Sequence, residues 1–132
     1  MIVLNTHILI WWVSANNKLS EPAQKAITHE LNNKGETLIS SITAWEISML
    51  VTKNRLNLTM DIDSWLQLVS EIEQVKFMPV NNKVAIESTR LPGEFHKDPA
   101  DRMITALART LSIPLITADK KIRRYQHVNT IW

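Results

Sequence analysis

The chain has 132 residues, 45% of them apolar and 21% charged, with a formal net charge of +2 and a pI of about 9.0. This length and composition fit one globular domain spanning 1–132, and no run of about 18 or more apolar residues predicts a membrane span. The absence of cysteine excludes disulfides and thiolate metal sites, and together with an N-terminus that lacks signal-peptide features it leads us to expect a cytoplasmic protein.

The chain alternates between short apolar runs and longer segments with helical periodicity. In chain order we predict a strand at 2–5, a helix at 7–14, a helix at 21–33, a strand at 37–40, helices at 42–53 and 61–74, a strand at 75–80, a helix at 81–90, a helix from 99, a strand at 114–117, a short helix from about 119 and a last strand at 128–132. Ser20 and Asp98 are the clearest predicted N-caps, and Pro99 suits the first helical position.

This alternation predicts the fold class and the place of a functional site. Strands that alternate with helices favour an α/β fold with a central parallel sheet of about five strands and helices on both faces. In such sheets ligands bind beyond the carboxyl ends of the strands. Asn5 follows the first strand and Asp119 follows the strand 114–117, so both should face one crevice.

Glu46 lies in a segment, SITAWEISMLVTKN, that is apolar around most of its helical circumference. At about 100° per residue, Glu46 falls between Ile42 and Leu50, so we expect it to be well buried. A buried lone carboxylate costs several kcal/mol unless something pairs with it. Metal coordination, a buried ion pair and a raised pKa are the possible forms of compensation.

Each acidic residue also has a purely structural interpretation. Asp98 and Asp119 could simply cap helices, Asp101 could complement a helix dipole, and Glu46 could belong to a structural ion pair. Position along the sequence does not say whether Asp101 faces the crevice. The joint occurrence of these acids with an Asn5 at a strand end is harder to explain by capping alone.

Four segments in order resemble the signature segments of PIN-domain ribonucleases, and more narrowly the VapC-like toxins of bacterial toxin–antitoxin pairs. The segments are LNTHILIWW, SSITAWEISML, LPGEFHKDPADRMITALA and LITADKKI. The resemblance runs from residue 1 to Trp132. It implies a single PIN-like domain and an endoribonuclease toxin that cleaves RNA phosphodiester bonds with metal-activated water.

The resemblance also implies a site of four acidic residues that holds Mg²⁺ or Mn²⁺. Three of the four positions match Glu46, Asp101 and Asp119, and the first, an Asp in the family, is Asn5 here. The resemblance, not the periodicity, places Glu46 and Asp101 in the same pocket as residues 5 and 119. Further side chains expected near the site or its substrate are Thr6, Asp98, Arg102 and Thr117.

The amide at position 5 predicts a severely impaired nuclease. Carboxylates about 5 Å apart repel one another by roughly 3 kcal/mol at an effective dielectric constant near 20, which a cation or an amide relieves. Asn5 keeps one oxygen for the metal but lacks the charge, so it should bind the cation weakly and position water poorly. Deliberate inactivation of a toxin and natural degeneration are both consistent with this residue. We expect structural or substrate-orienting roles for His7 and His96.

Partners are predicted partly from the residues and partly from the resemblance. A late basic cluster could bind RNA phosphates, although a solvated helix face is the simpler interpretation. That cluster consists of Lys120, Lys121, Arg123 and Arg124. The resemblance implies a homodimer and a cognate antitoxin packed in an apolar groove near the helices 7–14, 42–53 and 61–74. Trp11 and Trp12 are candidates for that contact, with burial in the core as the alternative.

Two other function classes remain open at this stage. A nucleic-acid-binding or protein-binding module would use the acids as helix caps, but it would gain little from a buried Glu46. A metal-dependent phosphatase often uses an Asp nucleophile after the first strand, which Asn5 would abolish. Hydrolysis of small phosphoesters by an Asn5→Asp variant, without RNA cleavage, would favour the phosphatase.

Overall fold

A computed structural model describes all residues from 1 to 132. Its centre is a five-stranded, fully parallel sheet with the strand order β3-β2-β1-β4-β5. The strands are β1 (Ile2–Leu4), β2 (Thr37–Ser40), β3 (Val75–Met78), β4 (Leu115–Ile116) and β5 (Thr130–Ile131). The predicted α/β class with a parallel sheet of about five strands is therefore confirmed.

Seven helices connect the strands. They are α1 (Thr6–Val13), α2 (Glu21–Asn32), α3 (Ser41–Thr52), α4 (Ile62–Ser70), α5 (Asn82–Thr89), α6 (Pro99–Leu111) and α7 (Lys120–Arg124). Ser20 and Asp98 are N-caps of α2 and α6, as the sequence predicted. None of the helices is long and apolar enough to cross a membrane.

The core has two layers because neighbouring residues of a strand point to opposite faces of the sheet. Ile2 and Leu4 pack with α1, α2 and α4 on one face. Val3, between them, packs with α5, α6 and α7 on the other. Ile47 of α3 joins the first layer, while Ile42 of the same helix packs against the second. Helices thus cover both faces, and the polar chemistry is left to the sheet's carboxyl edge.

The chain turns directly from strand to helix at that edge. The N–H of Asn5 completes the pairing of β1 by donating to the Ile116 carbonyl at 3.0 Å, and Asn5 is then the N-cap of α1. Ser40 links β2 to α3 in the same way, and Asp119 is the N-cap of α7 three residues beyond the end of β4. Asn5 and Asp119 therefore face one crevice, as expected for parallel sheets.

Two local predictions were wrong. The helix predicted at 61–74 ends at Ser70, because the chain turns there and Gln74 adopts a left-handed backbone with a φ of 71°. The helix α3 is also less buried than its apolar composition indicated, with only Thr43 and Ile47 fully buried. Trp45 is 54% exposed, because α3 presents that side to solvent. Apolar composition alone does not tell a buried helix face from an exposed apolar one.

Candidate metal centre

A cavity of about 450 Å³ lies at the carboxyl edge of the sheet. It is lined by Asn5, His7, Trp11, Glu46, Asp98, Asp101, Ala118 and Asp119. All four positions predicted to form the site are among them, although they are far apart in the sequence. They are contributed by the N-cap of α1, the middle of α3, the first turn of α6 and the N-cap of α7.

Asn5 is only 7% exposed, and both ends of its amide are hydrogen-bonded. Its Oδ1 accepts a hydrogen bond from the Thr6 N–H, and its Nδ2 donates to Thr117 Oγ1, both at 2.9 Å. Thr117 Oγ1 also accepts from the Asp119 N–H at 3.1 Å, so it joins two of the four positions. An aspartate at position 5 could keep the same contacts if the Thr117 hydroxyl reversed its role and donated to the carboxylate.

Thr6 does not line the cavity, but it connects two of the helices that form it. Its hydroxyl lies 3.0 Å from that of Thr43, and both side chains are buried. This hydrogen bond ties α1 to α3, the helix that carries Glu46. Thr6 therefore fixes the position of Glu46 relative to Asn5.

Asp98 and Asp119 do cap helices, but each uses only one carboxylate oxygen to do so. Oδ1 of Asp98 accepts from the Asp101 N–H at 2.9 Å, and Oδ1 of Asp119 accepts from the Lys121 and Ile122 N–H groups at 2.8 and 3.2 Å. The second oxygen of each carboxylate has no hydrogen-bond partner within the protein. Capping is thus compatible with a role in the cavity.

Asp101 has the most perturbed acidity in the protein. Burial of its carboxyl group is the largest cause, and the pKa of Asp101 is raised to about 7. The negative charges of Asp98, Asp119 and Glu46 act in the same direction, and the positive charge of Lys121 opposes them. These side chains therefore interact electrostatically across one space.

Glu46 is half-buried rather than well buried as predicted, but one of its carboxylate oxygens lies in the interior. Its Oε1 is buried and has no hydrogen-bond partner. An ion pair was one of the alternatives for this residue, yet no cation lies within 4 Å of it. A buried, unpartnered carboxylate oxygen is costly, and it marks a place where a cation would stabilise the protein.

Comparisons with known proteins identify the family of this chain. Residues 2–128 match the model of the PIN domain family. The chain belongs to the PIN domain family. It is 32% identical to Ribonuclease VapC22 of Mycobacterium tuberculosis over 99% of this chain and 98% of that protein. The resemblance to VapC-like proteins predicted from the sequence is therefore confirmed.

Solved structures show the same fold for this PIN domain. VapBC2 from Rickettsia felis, bound to a promoter DNA fragment, has a TM-score of 0.71 at 20% identity and covers 98% of this chain and 97% of its own. DNA-bound VapBC from Salmonella typhimurium has a TM-score of 0.65 at 20% identity, covering 98% and 95%. A toxin–antitoxin complex from Klebsiella pneumoniae has a TM-score of 0.61 at 18% identity, covering 97% and 95%.

The oxygen atoms that line the PIN domain cavity are of the type that binds a hard divalent cation. Carboxylate and amide oxygens are the ligands that Mg²⁺ and Mn²⁺ prefer, and the buried Oε1 of Glu46 has no hydrogen-bond partner in the protein. No three carboxylate or imidazole groups converge closely enough to enclose an ion. Binding a cation would therefore draw the side chains of the cavity together, against the repulsion that raises the pKa of Asp101.

Arg102 lies outside the acidic cavity. Its guanidinium donates to the backbone carbonyls of Ser88, Phe95 and His96 at 2.8, 2.9 and 3.1 Å. It thereby holds the segment between α5 and α6 against α6. Arg102 also lines the groove beside Asp101, so the substrate contact expected for it stays a prediction.

The other predicted residues are distributed around the cavity. Trp11 is half-buried and lines the cavity, with its ring 6.0 Å from those of His7 and Trp132. Trp12 is half-buried against the core. The basic cluster divides, since Lys120 and Arg123 line a cavity with Trp132 whereas Lys121 lines a groove beside Asp101. Arg124 lines both of these spaces.

Sequence reasoning missed the aromatic side of that groove. Phe95, Tyr125 and His127 line it, but they occur in segments without helical or strand periodicity. The only signal was the segment GEFHK, in which aromatic and basic residues follow the glycine at 93.

Proposed function

We propose that this chain is a metal-dependent endoribonuclease, the toxin of a toxin–antitoxin pair, and that Asn5 impairs its activity. The observation that carries the proposal is the cavity itself, which Asn5, Glu46, Asp101 and Asp119 line together and where one Glu46 oxygen is buried without a partner. The 32% identity to a ribonuclease over almost the whole chain supports RNA as the substrate.

Mg²⁺ or Mn²⁺ would be held by the carboxylates of Glu46, Asp101 and Asp119 and by the side-chain amide oxygen of Asn5. When bound, the cation supplies Lewis-acid activation of water and offsets negative charge on the leaving oxygen. Asp119 is fixed by its cap hydrogen bonds, so its free oxygen points from a rigid position. Asp101 must lose its proton to act as a ligand, and its pKa of about 7 makes that step depend on pH near neutrality.

Asn5 removes one negative charge from this set. Its Oδ1 already accepts the Thr6 N–H, and its Nδ2 presents a donor where an aspartate would present an oxygen. The native chain should therefore hold the cation weakly and orient the attacking water poorly. The substitution also removes repulsion from the metal-free cavity.

The test is RNA cleavage by the native chain and by an Asn5→Asp variant, each with Mg²⁺ or Mn²⁺ and each with a chelator. We expect metal-dependent cleavage by Asn5→Asp well above that of the native chain. Sequencing of the cleavage ends would then identify the target RNA. Equal activity of the two proteins would defeat the proposed role of Asn5, and hydrolysis of small phosphoesters without RNA cleavage would favour a phosphatase.

The proposed protein partner is a cognate antitoxin. A groove of about 630 Å³ is lined by His7, Ile10, Trp11 and Val13 of α1, by Leu50 of α3, by Trp65 of α4 and by the connecting segment 55–59. Its lining mixes apolar side chains with Lys18 and Arg55, so it suits an amphipathic peptide. The toxin–antitoxin structures with the same fold support such a partner. A homodimer and a cytoplasmic location remain predictions.

A further inference from the structure

A second groove, of about 700 Å³, adjoins the acidic cavity. We call it the basic groove and define it by Phe95, Lys97, Lys121, Arg124, Tyr125 and His127. Neither helix capping nor the proposed metal site accounts for it.

The two spaces meet at α6 and α7. His96 lines the basic groove, and its Nε2 lies 3.3 Å from Oδ2 of Asp101, which lines the acidic cavity. That Nε2 makes no hydrogen bond, so the short distance shows only that the two side chains are neighbours. Lys121 also lines the groove, and its charge lowers the pKa of Asp101. A chain bound in the groove would therefore continue directly into the cavity.

The cations of the groove have no protein counter-ions. Lys97, Lys121 and Arg124 are exposed, and none of them has a carboxylate within 4 Å. Arg102 also lines the groove, and its guanidinium donates only to neutral carbonyl groups, so its charge is not cancelled either. Glu94 is the single acidic residue of the lining. Such a concentration of unpaired positive charge attracts a polyanion.

The aromatic residues form a supported platform. The exposed ring of His127 meets the buried Tyr125 edge-on, with centroids 5.3 Å apart. Tyr125 is held by Phe95 at 4.8 Å and donates its hydroxyl hydrogen to the Pro92 carbonyl. Gly93, with a φ of +67° that favours glycine, brings the backbone close to the His127 ring. The ring is therefore positioned before any ligand arrives.

We propose that the basic groove binds single-stranded RNA beside the scissile phosphate, with one base stacked on His127 and phosphates contacted by Lys97, Lys121 and Arg124. This inference rests on the proposed function for the identity of the ligand. Unpaired bases stack on aromatic side chains, including histidine, whereas bases in a duplex are not available for stacking. The new assignment is therefore His127 as the residue on which an unpaired base stacks.

The experiment measures binding of a short, unstructured, fluorescently labelled RNA to the native chain by anisotropy, in chelator and at several salt concentrations. We expect His127→Ala to bind the RNA at least about fivefold more weakly, which corresponds to the loss of one stacked base. The dependence of its affinity on salt concentration should be unchanged. His127→Phe should retain binding, because phenylalanine also offers a ring. Arg124→Ala should weaken binding and reduce the slope of log K against log salt by about 0.7.

Lys83→Ala is the matched control, because Lys83 is an exposed cation on α5 that lies outside the groove. It should bind like the native chain. The inference is overturned if His127→Ala and Arg124→Ala bind as the native chain does, if Lys83→Ala weakens binding equally, or if an RNA duplex binds as tightly as the single strand.

A second readout separates this inference from the proposed function. If Asn5→Asp cleaves RNA but adding His127→Ala leaves its KM unchanged, the groove assignment fails and the nuclease stands. If Asn5→Asp cleaves no RNA while the groove variants still weaken RNA binding, the nuclease fails and the groove stands.

Discussion

Asp101 is the residue whose chemistry the cavity changes most. Its side chain is 17% exposed, and burial with neighbouring carboxylates raises its pKa from 3.8 to about 7. Between those two values the folded protein keeps a proton that the unfolded chain has lost. The free energy of unfolding therefore falls as pH rises through this window, because the folded state must eventually ionise a disfavoured carboxyl group.

Replacing Asp101 with asparagine should remove this pH-dependent cost. Without metal, we expect the Tm of Asp101→Asn to exceed that of the native chain at pH 8, and the difference to shrink towards pH 4, where the native Asp101 is protonated. Thermal unfolding at several pH values measures this. Glu73→Gln, at an exposed turn, is the control and should show no such trend. A Tm difference that is constant with pH would contradict the assigned pKa.

A substitution at position 5 tests the same electrostatic repulsion among the carboxylates of the cavity. In chelator, we expect Asn5→Asp to melt at a lower temperature than the native chain, because it adds a fifth carboxylate to a cavity already lined by Glu46, Asp98, Asp101 and Asp119. Adding Mn²⁺ should raise the Tm of Asn5→Asp more than that of the native chain. An unchanged or higher Tm of the metal-free variant would count against crowding of the acids.

At the level of elements, the sequence predicted the order and type of every strand and helix, because each apolar run and each cap is a local signal. Asp98 and Ser20 illustrate this, since a cap depends only on nearby backbone N–H groups. Exposure of Trp45 and the early end of α4 were not predictable, because they depend on what packs beside α3 and on the backbone at Gln74. The gathering of Glu46 with Asp101 likewise required the family resemblance.

The helix α7 allows capping to be separated from metal binding. Asp119→Asn keeps an N-cap oxygen but loses the charge, whereas Asp119→Ala loses both. We expect Asp119→Ala to lower the free energy of unfolding by about 0.5–2 kcal/mol, and Asp119→Asn to have little effect. In an Asn5→Asp background both should reduce the stabilisation by Mn²⁺, measured by thermal unfolding. If Asp119→Asn keeps the full Mn²⁺ effect, Asp119 is only a cap.

At the scale of the whole molecule, the carboxyl edge of the sheet brings three surfaces together. Trp11 lines both the acidic cavity and the α1 groove, and His96 of the basic groove lies 3.3 Å from Asp101 of the cavity. A net charge of only +2 conceals this separation of acidic and basic surfaces. A partner in the α1 groove would therefore lie next to the acidic cavity.

Binding of a cognate antitoxin, sought as the product of a small neighbouring gene, tests the α1 groove. Val13→Asp should weaken the complex, because Val13 is 37% exposed and lines the groove. Leu68→Asp is the matched control, since Leu68 is 51% exposed but lies outside the groove. Calorimetric titration measures both. Equal loss of affinity in the two variants, or none in Val13→Asp, would place the antitoxin elsewhere.

The most direct test of the central claim is a titration of the protein with Mn²⁺, followed by the electron paramagnetic resonance signal of the free ion. Positions 5, 46, 101 and 119 are claimed to form one cation site, so Asn5→Asp should bind Mn²⁺ more tightly than the native chain. Adding Glu46→Gln to that variant should remove the gain. Equal Mn²⁺ affinity in all three proteins would contradict a shared site.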